Sequence, residues 1–249
     1  WRALFLYTFI CLLSLLSGVS GDKIIDGKEA SPHSRPYMAI LKIKVGYPCT
    51  AVEAAHCKGK NITVILGAHY RLKKEKSQQT IPVQEMIPHE NYDEETIEND
   101  IMLLKLKYGA NITDEVKTIH LPSTDEHFEP GTICSVAGWG HNVTHGKLSN
   151  VLREVDVKIQ KRCDSASQIC ARGILLLDII KNHARSYLFQ GDSGGPLVCQ
   201  GRNNIPTAAG IMSYSNSYNC EDAYRSDVYV KVSAYLKWIK TKIKVSSSA

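Results

Sequence analysis

No Cys-x-x-Cys pair occurs in the 249 residues, which removes the commonest spacing of thiolate metal and dithiol redox sites. No basic run is dense enough, or interleaved enough with aromatics, to follow a nucleic-acid backbone, and the formal net charge is only +5. Nucleic acid is therefore not an expected partner. So small an excess fits a solvated basic surface, or loose attraction to polyanions such as glycosaminoglycans. After Leu4–Leu16 no apolar stretch reaches spanning length, so no membrane span is expected in the mature form. Long helical periods are also missing until the last few turns of chain, which argues against α and α/β classes. His141 and His145 lie four apart, but they flank Asn142-Val143-Thr144 after Gly140. That is a turn pattern rather than a helical ligand pair, and neither a metal nor another cofactor is expected.

What is present begins with an export pattern. Arg2, the apolar run and the small residues Ser17-Gly18-Val19-Ser20 read as a secretory signal over residues 1–20. In an oxidising compartment the eight cysteines read as disulfides rather than a zinc site. Apolar residues make up 43% of the chain, enough for a sizeable core. Short β-rich segments alternate with turn residues at 39–45, 62–66, 80–86, 101–106, 132–136, 151–159, 197–199, 208–213 and 228–232, an all-β pattern. Ser233 to Val245 places Ala234 and Trp238 at helical spacing among lysines, so a terminal amphipathic helix is expected over 233–245. Asn61, Asn111 and Asn142 each open an N-x-Thr acceptor for glycosylation.

The chemistry centres on Gly191-Asp192-Ser193-Gly194-Gly195-Pro196. Glycines around a serine let the backbone turn tightly and aim neighbouring N–H groups at one point. A nucleophilic serine needs that arrangement, an exposed hydroxyl beside donors placed for an oxyanion. A Gly/Ser turn alone would carry no function. Two further contexts give it partners: His56 in Ala54-Ala55-His56-Cys57, and Asp100 in Asn99-Asp100 before an apolar strand. An imidazole that takes the serine proton and a carboxylate that orients the imidazole complete a nucleophilic triad, in the chain order His, Asp, Ser.

With these residues in that order, the chain from Ile24 to Lys244 resembles the trypsin/chymotrypsin-like serine proteases. Pro32-His33-Ser34-Arg35-Pro36-Tyr37-Met38-Ala39 narrows the resemblance to the granzymes and mast-cell proteases. The resemblance implies two packed six-stranded antiparallel β-barrels, over roughly 24–120 and 121–232, followed by the helix. It implies a secreted or granule endopeptidase acting on proteins and peptides. It also implies an oxyanion hole from the N–H groups of Gly191 and Ser193. Residues 21–23 become an activation propeptide: an activating protease cleaves after Lys23, and the new Ile24 amino group pairs with Asp192 to order the oxyanion loop. Serpin-type inhibitors join the expected partners. The implied disulfides are Cys49–Cys57, Cys134–Cys199 and Cys163–Cys170, with Cys220 left over. Substrate contacts fall on Tyr187, Ser213, Tyr214, Ser215 and Asp227.

Several positions depart from the family pattern. Cys49 and Cys57 are too close together, so the first barrel is expected to lack a strand, the one that helps position His56. Tyr187 stands where trypsins carry an acid, and Asp227 where the family has a pocket-wall glycine. A carboxylate at that wall suits a substrate Lys or Arg, giving a basic or mixed basic/aromatic preference; a solvated loop acid is the plain alternative. Ser215 replaces a glycine and narrows the pocket mouth. Ile174 to Ile180 is an apolar run where the family has a polar loop. A protease homologue that binds without cutting is the competing function.

Overall fold

A computed structural model of the chain describes residues 27–43, 62–140, 148–174, 194–215 and 226–247. Eleven strands are present among them: β1 Lys28–Glu29, β2 Ala39–Ile43, β3 Ile62–Leu66, β4 Gln79–Pro88, β5 Met102–Leu106, β6 Ile133–Gly138, β7 Arg153–Ile159, β8 Gln168–Gly173, β9 Pro196–Gln200, β10 Pro206–Ser215 and β11 Asp227–Lys231. One α-helix among the described residues, α1, runs Val232–Ser247, and a 3-10 turn covers Arg202–Asn204.

The second half of the chain closes on itself. Strands β7-β6-β9-β10-β11-β8 are hydrogen-bonded in that order, and β7 pairs again with β8, so six strands form a barrel without free edges. β1 adds to its outside by pairing with β7. The interior is filled by alternate residues of these strands, among them Val136, Val157, Leu197, Met212 and Tyr229. The Cys134–Cys199 disulfide joins β6 to β9 inside this core, at positions that pair directly across the two strands. Gly210 is needed here because a Cβ on it would lie 2.8 Å from Tyr229 Cβ.

The first half, expected as a barrel lacking a strand, is an open sheet where it is described. Among the described residues its sheet has four antiparallel strands in the order β2-β3-β4-β5. Val64, Leu66, Ile81, Met102, Leu104 and Val116 fill its inner face. The shortened Cys49–Cys57 segment lies outside the described residues.

β5 buries residues of both faces over Met102–Leu104, which explains the apolar run there; Lys105 interrupts it where the strand is only partly buried. Met102 and Leu104 face the first core. Ile101, just before the strand, and Leu103 face a second cluster with Ile211, Val230, Leu236 and Ile239. α1 thus packs its apolar stripe across the seam where β5, β10 and β11 meet. The turn around Arg35 ties the halves together elsewhere. Its guanidinium donates to Glu154 Oε2 at 3.0 Å, Ser135 Oγ at 2.6 Å and Tyr37 Oη at 2.8 Å. Strands β1 and β8 were not marked by the sequence pattern: β1 has only two residues, and Gln168 and Arg172 interrupt the apolar run of β8.

Candidate active site

Asp100 is placed by the residue before it and the strand after it. Asn99 adopts φ 56°, a left-handed conformation that asparagine tolerates better than most residues. Its side chain is held at both ends. Nδ2 donates to the Asn91 carbonyl at 2.8 Å, and Oδ1 accepts from Tyr235 Oη of α1 at 3.0 Å. The Ile101 N–H donates back to the Asn99 carbonyl at 2.7 Å, closing a tight turn. Asp100 therefore sits at the head of β5, on a backbone fixed by the helix on one side and the strand on the other.

The carboxylate is 3% exposed. Ser213 Oγ, on β10, donates to Asp100 Oδ2 at 2.6 Å. Burial pushes the Asp100 carboxyl up to about 7, although the Ser213 hydroxyl works in the opposite direction. Ser213 can reach Asp100 because the register of β10 against β11 shifts between Met212 and Tyr214, freeing the residue between them from the regular ladder. Ser213 was expected among the substrate contacts; its hydroxyl is turned onto Asp100.

β10 also carries the neighbouring elements. The Gly194 N–H donates to the Met212 carbonyl, and the Met212 N–H to the Gly195 carbonyl, both at 2.9 Å. Gly194 has φ 78°, a conformation in which a side chain would be strained. Two residues beyond Ser213, Ser215 Oγ donates to Asp227 Oδ1 at 2.5 Å, and the two residues face one another across β10 and β11. Asp227 is 1% exposed. It is a strand residue deep in the second barrel rather than a solvated loop acid. Between them, the Tyr214 hydroxyl lies 3.5 Å from Gln168 Nε2.

The structure thus brings together Asp100, Ser213, Ser215, Asp227 and the Gly194–Gly195 backbone around one strand. His56, Ser193, Gly191, Asp192, Ile24 and Tyr187 lie outside the described residues, as do Cys49, Cys57, Asn61 and Asn142. Two of the implied disulfides are present, Cys134–Cys199 and Cys163–Cys170. Asn111 is exposed on the loop after β5, its backbone held by Gln79. Among the described residues there is no group of three or more His, Cys, Asp or Glu able to hold a metal, and no helix is long and apolar enough to cross a membrane. Sequence reasoning missed Asn99 and Tyr235 as supports of Asp100. An asparagine directly before the acid was the available signal; the tyrosine, 136 residues away, gave none.

Comparison with known proteins agrees with this geometry. Residues 24–239 match the family described as Trypsin. Granzyme B(G,H) of Mus musculus is 42% identical over 255 residues, spanning 94% of this chain and 96% of the relative. Duodenase-1 of Bos taurus is 42% identical over 257 residues, spanning 94% and 95%. Mast cell protease 3 of Ovis aries is 42% identical over 254 residues, spanning 93% and 94%. The solved structure of GrC superimposes with a TM-score of 0.72 at 38% identity, covering 89% of this chain and all of that one. The chain belongs to the trypsin family of serine proteases and is related to the granzymes.

Proposed function

We propose that this chain is a secreted or granule serine endopeptidase that hydrolyses peptide bonds through an acyl-enzyme. The observation that carries the reading is the buried Asp100 carboxylate fixed by Ser213 at the head of β5. A carboxylate so placed is costly unless it has a use, and orienting an imidazole is that use. In this reading His56 Nδ1–H donates to Asp100, and Nε2 takes the Ser193 proton as Oγ attacks the substrate carbonyl. The N–H groups of Gly191 and Ser193 receive the oxyanion; losing one such donor costs roughly 3 kcal/mol of transition-state stabilisation. His56 then protonates the leaving amine, and water releases the acyl group. Gly194 and Gly195, pinned to Met212, support the turn that carries the nucleophile. Cleavage after Lys23 frees the Ile24 amine to pair with Asp192 and order that turn.

Asp227 directs preference toward Lys and Arg, with aromatic side chains also accepted. The support is the pocket-wall place Asp227 takes in the family resemblance, together with its buried position on β11 opposite Ser215, since a carboxylate there can pair with a substrate Lys or Arg. Asn61, Asn111 and Asn142 are glycan acceptors in the secreted chain. The second reading, a homologue that binds protein without cutting it, draws on the four-stranded first sheet among the described residues.

Fluorophosphonate labelling of the chain cleaved after Lys23, set beside Ser193→Ala, tests the proposal. Labelling that disappears in the variant is the expected result. A cleaved, monodisperse chain that takes no label would favour the binding homologue. Peptide profiling then compares basic with aromatic residues at the cleaved bond; Asp227→Gly is expected to abolish the basic preference.

A further inference from the structure

The loop joining β3 to β4 carries Arg71-Leu72-Lys73-Lys74-Glu75-Lys76, the most concentrated run of positive charge in the described chain. An ordinary lysine-rich loop is a solvated, moving surface. This one is fastened. Glu75 Oε2 turns inward and accepts from the N–H groups of His69 and Tyr70, both at 2.8 Å, and from Gln78 Nε2 at 3.1 Å. Gln78 Nε2 also reaches the Lys73 carbonyl at 2.9 Å. On the other side, Arg71 Nε donates to the Ser149 carbonyl at 3.1 Å, and the Leu72 N–H to Asn150 Oδ1 at 3.1 Å. Two charged residues, Arg71 and Glu75, are therefore consumed in holding the loop's shape.

The residues left over point outward. Lys73, Lys74 and Lys76 form no ion pair among the described residues; Lys73 lies 5.0 Å from the centre of the Tyr70 ring. At the apex Leu72 is 72% exposed, more than any other large apolar side chain described. A fixed loop that holds a leucine in water among three lysines loses little further freedom when something binds it. Its chemistry matches an acidic peptide with an apolar residue among its carboxylates. A sulfated glycan offers charge but nothing for Leu72 to bury.

We propose that the 71–76 loop is a docking site for an acidic, apolar-centred segment of a protein substrate, held by Lys73, Lys74 and Lys76 around Leu72. The assignment to a substrate rests on the protease reading; the binding itself does not. Docking of this kind selects proteins by a segment remote from the cleaved bond and leaves short peptides unaffected.

The first test is fluorescence anisotropy of the full chain with a labelled Glu/Asp peptide carrying a central Phe. Binding is expected to weaken about tenfold or more in Lys73→Ala/Lys74→Ala/Lys76→Ala, and to weaken as salt is raised. Leu72→Ser is expected to weaken the Phe peptide and leave a peptide with Ser in place of Phe unchanged. These side chains are exposed, so thermal unfolding of each variant should match the parent. Equal affinity of parent and triple variant overturns the proposal. So does binding of a heparin oligosaccharide that depends on the lysines while the Phe peptide shows no dependence on Leu72. The second test compares cleavage of one peptide with and without the acidic tail. The tail should raise kcat/KM in the parent and not in the triple variant, with the untailed peptide cut equally by both. An active chain indifferent to the tail overturns the substrate role. A chain that binds the acidic peptide as predicted but cuts nothing defeats the protease reading and leaves the docking site standing.

Discussion

Replacing Asp100 with asparagine should make the protein more stable at neutral pH while destroying its chemistry. The carboxyl lies at about 7 in the folded chain against an ordinary 3.8, because burial disfavours its charge more than Ser213 supports it. That difference corresponds to roughly 4 kcal/mol between the two protonation states, a large part of the stability of a typical domain. The folded chain keeps this proton between pH 3.8 and about 7 while the unfolded chain has released it, so stability falls as pH rises through that window and is level above it. Asparagine has no charge to desolvate, and its side-chain oxygen can still accept from Ser213 Oγ. Urea unfolding from pH 4 to pH 8, in a Ser193→Ala background that prevents self-cleavage, reads the effect. Parent and Asp100→Asn should agree near pH 4 and separate toward pH 8, with the variant the more stable by up to about 4 kcal/mol. An imidazole donating to Asp100 offsets part of the cost, so adding His56→Ala should widen the gap. With Ser193 restored, Asp100→Asn should lower kcat by roughly 10⁴-fold. Parallel unfolding curves across the whole pH range would refute the account of Asp100 as a buried, unfavourable charge.

Two further outcomes follow from the barrel. Removing the Cys134–Cys199 bridge, which closes a separation of 65 residues, should cost roughly 4 kcal/mol. Removing Cys163–Cys170, with a separation of 7, should cost roughly 2.5 kcal/mol, from the loop entropy each restricts in the unfolded chain. Chemical denaturation of the two double alanine variants gives the order, and a larger loss from the shorter loop would contradict it. Gly210→Ala forces a methyl to within 2.8 Å of Tyr229 Cβ and should destabilise by about 1–3 kcal/mol; a midpoint shift within error of zero would show that β10 and β11 can move apart at that point.

The strands were legible where one face is buried and the sequence alternates, or where both faces are largely buried and it is mostly apolar, as in β3 and β5. β8 was not, because Gln168 and Arg172 stand within a six-residue strand that pairs on both sides with other barrel strands. Asp100 was singled out from its neighbours in sequence. The surroundings that give it meaning were not legible: Ser213 is 113 residues away and Tyr235 stands 136 residues from Asn99, and no local pattern encodes such contacts. Asp227 shows the same limit. The family resemblance suggested a pocket-wall charge, while its burial and its pairing with Ser215 depend on how β10 and β11 align. Nothing in composition singled out the basic run at 71–76; the inward turn of Glu75 is what separates a held loop from a solvated one.

β10 gives the site its economy and also locates its weakness. Ser213 holds Asp100, Met212 holds Gly194 and Gly195, and Ser215 holds Asp227, all within four residues of one strand. That strand belongs to the closed barrel, whose six strands support one another without a free edge. The first half of the chain supplies Asp100, at the head of β5 and against the α1 cluster, away from the shortened Cys49–Cys57 segment in sequence. The shortened segment therefore bears on one member of the proposed triad, His56. In triads of this kind, losing the histidine costs nearly as much as losing the whole group, while binding through the second barrel does not depend on it. On the proposed reading of Asp227, a displaced His56 would leave a chain that binds a basic ligand and takes no fluorophosphonate. A seated His56 would give both, and the ratio of labelling to ligand retention, compared between parent and His56→Ala, separates the two conditions without reference to any particular substrate.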